Sequence, residues 1–200
     1  DITKNAQNEL IEQSEYKHCE SVRTYKPTPV LQYNQVETAA ELINNAKRPY
    51  LLVGQGVLLS DATKELIAFV EKTGVPVAST LLGLGAFPAD HRNYVGFLGM
   101  HGNYGPNVNT NECDVLIAIG MRFDDRVTGN VNRYAKQAKI IHIDIDKAEI
   151  NKVVQADVAV HADAKEALHA LIGYCNTNNH EAWLQSFHKL NQVEYEKVTH

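Results

Sequence analysis

Cysteine is scarce in this chain, and its three copies stand far apart. Cys19, Cys113 and Cys175 form neither the even set of a disulfide framework nor the close pairs of a zinc site. We therefore expect free thiols in a reducing compartment, and we predict a cytoplasmic location.

Basic residues and long apolar runs are also lacking. The chain has 19 Lys and Arg against 24 Asp and Glu, a net charge of −5, which argues against a nucleic-acid or anionic membrane partner. No apolar run is long enough to span a bilayer. The first residues have neither the apolar core of a signal peptide nor an initiator Met, so we expect a piece of a longer protein. The 44% hydrophobic content over 200 residues is typical of one globular domain with extensions.

Strand and helix patterns alternate along the chain. Residues 1–33 lack periodicity and predict a linker, and order begins with a helix over 34–45 that Asn34 and Glu37 would cap. Residues 86–112 predict mostly loop. The predicted strands cover 49–53, 75–79, 115–119, 139–146 and 158–160, and the main later helices cover 61–73 and 163–172.

Local signals refine the ends of these elements. Pro106 predicts the first residue of a short helix, and Asp146 with Glu149 predicts a capping box for another. Gly173 predicts the end of the helix that follows Asp163. Beyond it, Trp183, Phe187 and Leu190 share one apolar helix face.

This alternation predicts an α/β fold. Strands separated by helices favour a parallel sheet with right-handed crossovers. We expect a three-layer, Rossmann-like domain of about six parallel strands with helices on both faces.

The charged stretch 120–129 directly follows the apolar run 115–119, where a buried strand ends. Ligands of open α/β sheets bind outside the carboxyl ends of their strands, which makes this stretch a candidate binding loop. Arg122 and Arg126 offer planar, permanently charged donors to a phosphate or to the polar edge of a flavin. Salt bridges to Asp124 and Asp125 on the rim are the alternative.

Two further strand ends carry candidate ligand contacts. Glycines at 54 and 56 would let a diphosphate approach the backbone, although the third glycine of a dinucleotide fingerprint is missing and a tight turn explains the pattern as well. Asp144 ends a strand where a carboxylate can accept hydrogen bonds from ribose hydroxyls, whereas Asp146 is explained as a helix cap.

The histidines do not predict a catalytic or metal centre. His101 lies between glycines and could act as a general base, but packing on a ligand ring is favoured because no activating partner stands nearby. His142 alternates with isoleucines in a strand and is expected to be buried and hydrogen-bonded. We assign no catalytic and no metal-ligating residue to this chain.

Several motifs together resemble the large catalytic subunits of acetolactate synthases, which depend on thiamine diphosphate. The resemblance extends from about Arg23 to Leu171. The motifs are TLLGLG at 80–85, LGMHG at 98–102, MRFDDRVTG at 121–129, and HIDID at 142–146 with AEI at 148–150.

The resemblance implies the middle of three α/β domains. Residues 1–33 would be the linker from an N-terminal domain, 34–173 the central FAD-binding domain, and 174–200 a linker and helix leading to a C-terminal domain. In the family the glutamate that activates thiamine belongs to the first domain and the Gly-Asp-Gly motif that holds Mg²⁺ belongs to the third. This chain has no Gly-Asp-Gly, so by itself it is expected to be inactive.

The resemblance also implies FAD contacts along the chain. They fall on Arg23, Gly54, Gln55, Gly56, Thr80, Leu81, Leu82, Leu98, Gly99, Met100, His101, Gly120, Met121, Arg122, Asp124, Arg126, Val127, Asp144, Ile145, Glu149 and Asp163. Two departures affect this expectation. Gln55 stands where the family has a small residue, and the polar residues 103–109 replace a more apolar stretch.

The parent enzyme implied by the resemblance decarboxylates pyruvate and condenses it with a second 2-oxo acid in branched-chain amino-acid synthesis. Thiamine diphosphate and Mg²⁺ would serve the parent, which would be a homo-oligomer with a small regulatory subunit. Two alternatives stay open: the middle domain of another thiamine-diphosphate carboligase or oxidase, and a scaffold domain that binds no nucleotide.

Overall fold

Six parallel strands form the centre of the fold in the computed structural model, which describes residues 8–10 and 28–199. In spatial order they run β3-β2-β1-β4-β5-β6, and every neighbouring pair is parallel. This is the doubly wound order, which reverses direction between β1 and β4. The strands are β1 Pro49–Val53, β2 Val77–Ser79, β3 Tyr94–Phe97, β4 Val115–Ile119, β5 Lys139–Asp144 and β6 Val158–His161.

Helices cover both faces of this sheet, which confirms the predicted three-layer α/β fold. The helices are α1 Tyr33–Asn45, α2 Gln55–Leu59, α3 Thr63–Thr73, α4 Tyr104–Asn109, α5 Asp125–Thr128, α6 Ala164–Tyr174 and α7 Glu181–Glu194. Short 3-10 turns occur at Leu81–Gly83 and Val131–Arg133, and a π-helical turn at Tyr195–Thr199 continues α7. Helices α1, α3 and α6 contribute to one core, and α7 contributes to the other.

The continuous apolar runs of β1 and β4 explain their central positions. Every residue of both strands is buried, as expected for parallel strands that are covered on two faces. Because side chains alternate along a strand, Leu51 and Val53 join one core while Tyr50 and Leu52 join the other.

Two predictions in the first half of the chain were wrong at the level of single residues. Asn34 does not cap α1, which begins at Tyr33; the backbone oxygen of Asn34 instead accepts a bond from Thr38 Oγ1 at 2.9 Å. The buried side chain of Leu31 brings the chain into the core just ahead of the predicted start. β2 begins at Val77 rather than at residue 75.

The predicted loop over 86–112 contains an edge strand. β3 has four residues, one of them glycine, and it pairs with β2 alone, so its apolar pattern is too short to predict a strand. Pro106 is the third residue of α4 rather than the first. Its missing N–H is tolerated there because the first-turn amides of a helix have no intrahelical partner.

Three further boundaries differ in the second half. β5 ends at Asp144, and the residues after Asp146 form a turn rather than a helix, in which Asp146 Oδ1 accepts from the Ala148 amide at 2.9 Å. Gly173 lies inside α6, which ends one residue later at Tyr174. Cys175 follows in an extended conformation, so no left-handed cap is formed.

The C-terminal helix packs on the sheet of this same domain. Trp183 and Phe187, two residues of the predicted apolar face, are buried, and the indole Nε1 of Trp183 donates to the Pro49 carbonyl at 2.8 Å. Leu184 joins them, whereas Leu190 is half-buried. The division of the chain at residue 173 stays a prediction, although α7 contributes to the core of residues 34–173.

Free cysteines occur inside both packed layers. Cys113 and Cys175 are free and buried, and Cys19 lies outside the described residues. In the part of the chain that the structure describes, no helix has the length and apolar character needed to cross a bilayer.

Candidate functional site

A cavity of about 820 Å³ opens at the carboxyl ends of the strands. It lies where the strand order reverses, which is the position that binds ligands in doubly wound sheets. Its volume is suited to a large organic ligand. Loops that follow all six strands contribute to it, at 55–60, 80–82, 97–101, 120–127, 143–149 and 162–164.

The structure brings nearly all the predicted site residues to this cavity. The lining includes Gln55, Gly56, Thr80, Leu81, Leu82, Leu98, Gly99, Met100, His101, Gly120, Met121, Arg122, Asp124, Arg126, Val127, Asp144, Ile145, Glu149 and Asp163. Arg23 lies outside the described residues. Gly54 is described but does not line the cavity.

Sequence reasoning missed part of the lining. Phe97 belongs to the unpredicted strand β3, Leu59 ends the unpredicted helix α2, and Ser60 follows that helix directly. The other additions are Ile143, Asp146, Ala162 and Ala164. Their positions follow from the parallel sheet, because residues at adjacent strand ends meet at one edge.

Gly54 serves the packing of two loops rather than the cavity wall. A Cβ at Gly54 would overlap the carbonyl oxygen of Gly120, and it would lie 2.7 Å from Met121 Cα. The Gly54 amide donates to the Ile119 carbonyl at 3.0 Å. For Gly54 the structure shows close packing between two loops, and its contact with FAD stays a prediction.

Gly56 and Gly120 complete this close approach between the ends of β1 and β4. The Gly56 amide donates to the Gly120 carbonyl at 2.9 Å, and a Cβ at Gly56 would lie 2.6 Å from Gly120 Cα. Gly120 has a φ of +58°, a left-handed conformation that favours glycine. Gln55 stands at the start of α2 with an exposed side chain, and this longer residue is one of those that line the cavity.

The two arginines of the 120–129 stretch are only weakly paired with carboxylates of the chain, so their guanidinium groups can bind a ligand. Arg122 Nη2 lies 3.9 Å from Asp124 Oδ2, and the Arg122 side chain is 62% exposed, so this ion pair is weak. Asp124 Oδ1 also accepts from the Val127 amide at 3.2 Å and caps α5. Among the described residues no carboxylate lies within ion-pair distance of Arg126, whose Nη1 is 3.6 Å from Met100 Sδ.

Carboxylates gather at the ends of β5 and β6. Asp144 is buried, and burial raises the pKa of its carboxyl above the ordinary value. Its Oδ1 accepts from the Asp146 amide at 2.8 Å. Asp163 Oδ1 caps α6 by accepting from the Lys165 amide at 2.9 Å, and Ser60 Oγ donates to it at 2.6 Å. This group can accept hydrogen bonds from hydroxyls of a ligand.

His142 holds the 120–129 stretch, called here the arginine loop, through a hydrogen bond. The ring is fully buried, as predicted, and Nε2 lies 3.0 Å from the Met121 carbonyl oxygen. Since a carbonyl only accepts, Nε2 must carry the proton. Burial lowers the pKa of the His142 ring, which keeps it neutral. The ring thereby fixes the residue that precedes Arg122.

Folding stability is expected to fall as the pH drops below about 6.5, with His142 as one cause. The unfolded chain gains a proton there, whereas the buried ring has a lowered pKa and resists protonation. His180 acts in the same direction because burial lowers its pKa too. The Asp144 carboxyl has the opposite effect, because its pKa is raised above the ordinary value of 3.8. Its ionisation lowers the folding stability at higher pH, and this loss becomes smaller as the pH drops.

Urea unfolding of wild type and His142→Gln between about pH 7.5 and 5.5 checks this, because glutamine keeps a donor but cannot titrate. We expect a shallower loss of unfolding free energy in the variant. His169→Gln, on the exposed side of α6, is the matched control. Equal slopes in all three proteins would contradict the role of His142.

The fold and the cavity define a doubly wound α/β domain of the class that holds a ligand at its topological switch point. Residues 36–171 match the family model described as thiamine pyrophosphate enzyme, central domain. The chain therefore belongs to this family of central domains.

Several curated relatives are similar to the chain. It is 42% identical over 198 residues to a probable acetolactate synthase large subunit of Methanocaldococcus jannaschii, covering 96% of this chain and 34% of the relative. It is 49% identical over 148 residues to the acetolactate synthase large subunit of Corynebacterium glutamicum, covering 74% of this chain and 24% of the relative. It is 41% identical over 152 residues to the acetolactate synthase isozyme 3 large subunit of Escherichia coli, covering 76% of this chain and 26% of the relative. The chain thus spans about a third or less of the length of these relatives.

Proposed function

We propose that the chain is the cofactor-binding middle domain of an acetolactate synthase large subunit and that its cavity binds FAD. The observation that carries this proposal is the pairing, in one cavity, of the weakly partnered Arg122 and Arg126 with the buried carboxylate of Asp144. A dinucleotide would present its diphosphate to the two arginines and its ribose hydroxyls to the Asp144 carboxylate.

Each wall of the cavity has a role toward FAD. The guanidinium groups of Arg122 and Arg126 would donate to the diphosphate, and Asp144 would accept from the ribose. The exposed side chains of Leu81, Leu82 and Met100 would cover apolar ring surface. Bound FAD supplies a flavin ring, and in the family it does no net redox work.

The whole protein is proposed to convert pyruvate and a second 2-oxo acid to 2-acetolactate or 2-aceto-2-hydroxybutyrate in branched-chain amino-acid synthesis. Thiamine diphosphate and Mg²⁺ would be held outside this chain. The chain has no Gly-Asp-Gly motif, and the described residues contain no group of three or more His, Cys, Asp or Glu that could hold a metal. The proposed partners are the rest of the large subunit, further copies of it and a small regulatory subunit, in the cytoplasm.

Thermal unfolding with FAD tests the proposed ligand. A ligand at a hundred times its Kd stabilises the folded state by about 2.7 kcal/mol. For a domain of this size we expect the unfolding midpoint to rise by about 5 to 10 °C. An unmoved midpoint at millimolar FAD would favour the scaffold alternative.

Arg122→Ala sharpens the same test. We expect FAD affinity to fall by more than about tenfold, because the variant lacks a charge-assisted bond that bound FAD would shield from water. Arg133→Ala, which removes an exposed arginine outside the cavity, is the control. Isothermal titration would measure both variants, and an unchanged affinity for Arg122→Ala would make Arg122 a rim residue.

The parent activity has a separate test. The flanking domains would be restored, and the product formed from pyruvate with thiamine diphosphate and Mg²⁺ would be identified. Any product other than a 2-hydroxy-2-methyl-3-oxo acid would favour another thiamine-diphosphate carboligase or oxidase.

A further inference from the structure

The loop 98–102 forms one wall of the cavity. Its first glycine, Gly99, is held by the side chain of Asn107 from α4. Asn107 Oδ1 accepts from the Gly99 amide at 2.9 Å, and Asn107 Nδ2 donates to the Gly99 carbonyl at 2.9 Å. One amide group thus satisfies both backbone groups of one residue, as a neighbouring strand would. The half-buried asparagine is not part of the cavity lining.

Gly99 is also the point where two walls of the cavity meet. Its φ is +112°, and a Cβ there would lie 2.8 Å from the Arg126 carbonyl oxygen. The next amide, of Met100, donates to that same oxygen at 2.8 Å. The loop is therefore held between Asn107 on one side and the arginine loop on the other.

The two hydrogen bonds of Asn107 add to three backbone bonds of this loop, in which the Leu98 amide donates to the Ser79 carbonyl at 3.0 Å, the Met100 amide to the Arg126 carbonyl at 2.8 Å, and the Gly102 amide to the Gly99 carbonyl at 2.9 Å. Gly99 has no side chain, and Met100 and His101 are exposed. We call the two hydrogen bonds between Asn107 and Gly99 the clamp. Without the clamp, the loop would sample more conformations, and a ligand would have to order it on binding.

We propose that Asn107 is a positioning residue for the cavity: it fixes Gly99 so that Met100, His101 and the Arg126 loop present one preformed wall to the ligand. This rests on the proposed function for the identity of the ligand. The clamp itself is independent of that identity.

Asn107→Asp offers a test that a purely structural role does not predict. An ionised aspartate still accepts from the Gly99 amide, but it repels the Gly99 carbonyl, so FAD affinity should fall by about tenfold at about pH 8. A protonated aspartate has the donor and acceptor of an amide. The ratio of variant to wild-type affinity should therefore return toward one as the pH is lowered toward about 4, the ordinary pKa of an aspartate carboxyl.

Two further variants frame that result. Asn107→Leu is of similar size and lacks both bonds, so its affinity should stay low at every pH. Asn111→Asp adds the same charge just beyond α4, where its Oδ1 accepts from the Ala135 amide, and it should bind FAD as the wild type does. Wild-type affinity in Asn107→Leu, or a ratio for Asn107→Asp that does not change with pH, would overturn the proposal.

Amide hydrogen exchange separates this proposal from the proposed function. In Asn107→Leu without ligand, the Gly99 amide should exchange at least about tenfold faster, while the Ile117 amide in β4 is unchanged. If wild type does not bind FAD but Gly99 behaves in this way, the ligand is wrong and the clamp stands. Unchanged exchange at Gly99 would overturn the clamp itself.

Discussion

Replacing Gly54 by alanine is expected to lower the free energy of unfolding by about 3 kcal/mol or more. The added Cβ would overlap the Gly120 carbonyl oxygen and lie 2.7 Å from Met121 Cα. Neither atom can rotate away, because both belong to backbone that is fixed by the bonds from Gly54 to Ile119 and from Gly56 to Gly120. The overlap can be removed only if the ends of β1 and β4 move apart.

Urea unfolding of Gly54→Ala and of two control glycines measures this effect. Gly173→Ala places a Cβ in open space inside α6 and should stabilise by up to about 1 kcal/mol. Gly129→Ala also meets open space but has a φ of +54°, so it should cost about 1 to 2 kcal/mol through conformation alone. A loss at Gly54 no larger than that at Gly129 would contradict the steric explanation.

Phe187→Ala is expected to cost about 3 to 5 kcal/mol. The ring is fully buried, and its centroid lies 4.9 Å from those of Tyr50 and Trp183. Truncation would leave a cavity between α7 and β1 that the rigid sheet cannot fill. A destabilisation of this size would make α7 part of the folding unit.

His188→Ala is the matched control for that prediction. His188 is the next residue along α7 and is exposed, so its loss should change the free energy of unfolding by less than about 0.5 kcal/mol. If Phe187→Ala were equally harmless, α7 would not be docked in solution. That result would favour the predicted division in which the domain ends at residue 173.

The site shows how far local patterns can predict. β4 and the loop after it were predictable because a continuous apolar run indicates a buried parallel strand, and the carboxyl end of such a strand lies at the binding edge. Asp144 followed from the same rule at the end of β5. The fold class and the edge of the sheet that carries the cavity could therefore be predicted from local sequence patterns.

The misses share a different cause. β3 is short and contains Gly96, so its pattern carried no clear period. The cap predicted at Asn34 failed because the helix start also depends on a buried residue outside the motif. The role of Gly54 was invisible because the atoms that exclude a side chain there belong to residues 120 and 121.

The sequence by itself determined the α/β class, most strands, the family resemblance and the set of loops that meet at one edge, because these depend on patterns within short windows. Only the tertiary structure decided which glycine packs and which lines the cavity, that Asn107 clamps Gly99, and that α7 covers the second face through Trp183 and Pro49. Those outcomes depend on contacts between distant parts of the chain, up to 134 residues apart for Trp183 and Pro49, whose geometry no local pattern encodes.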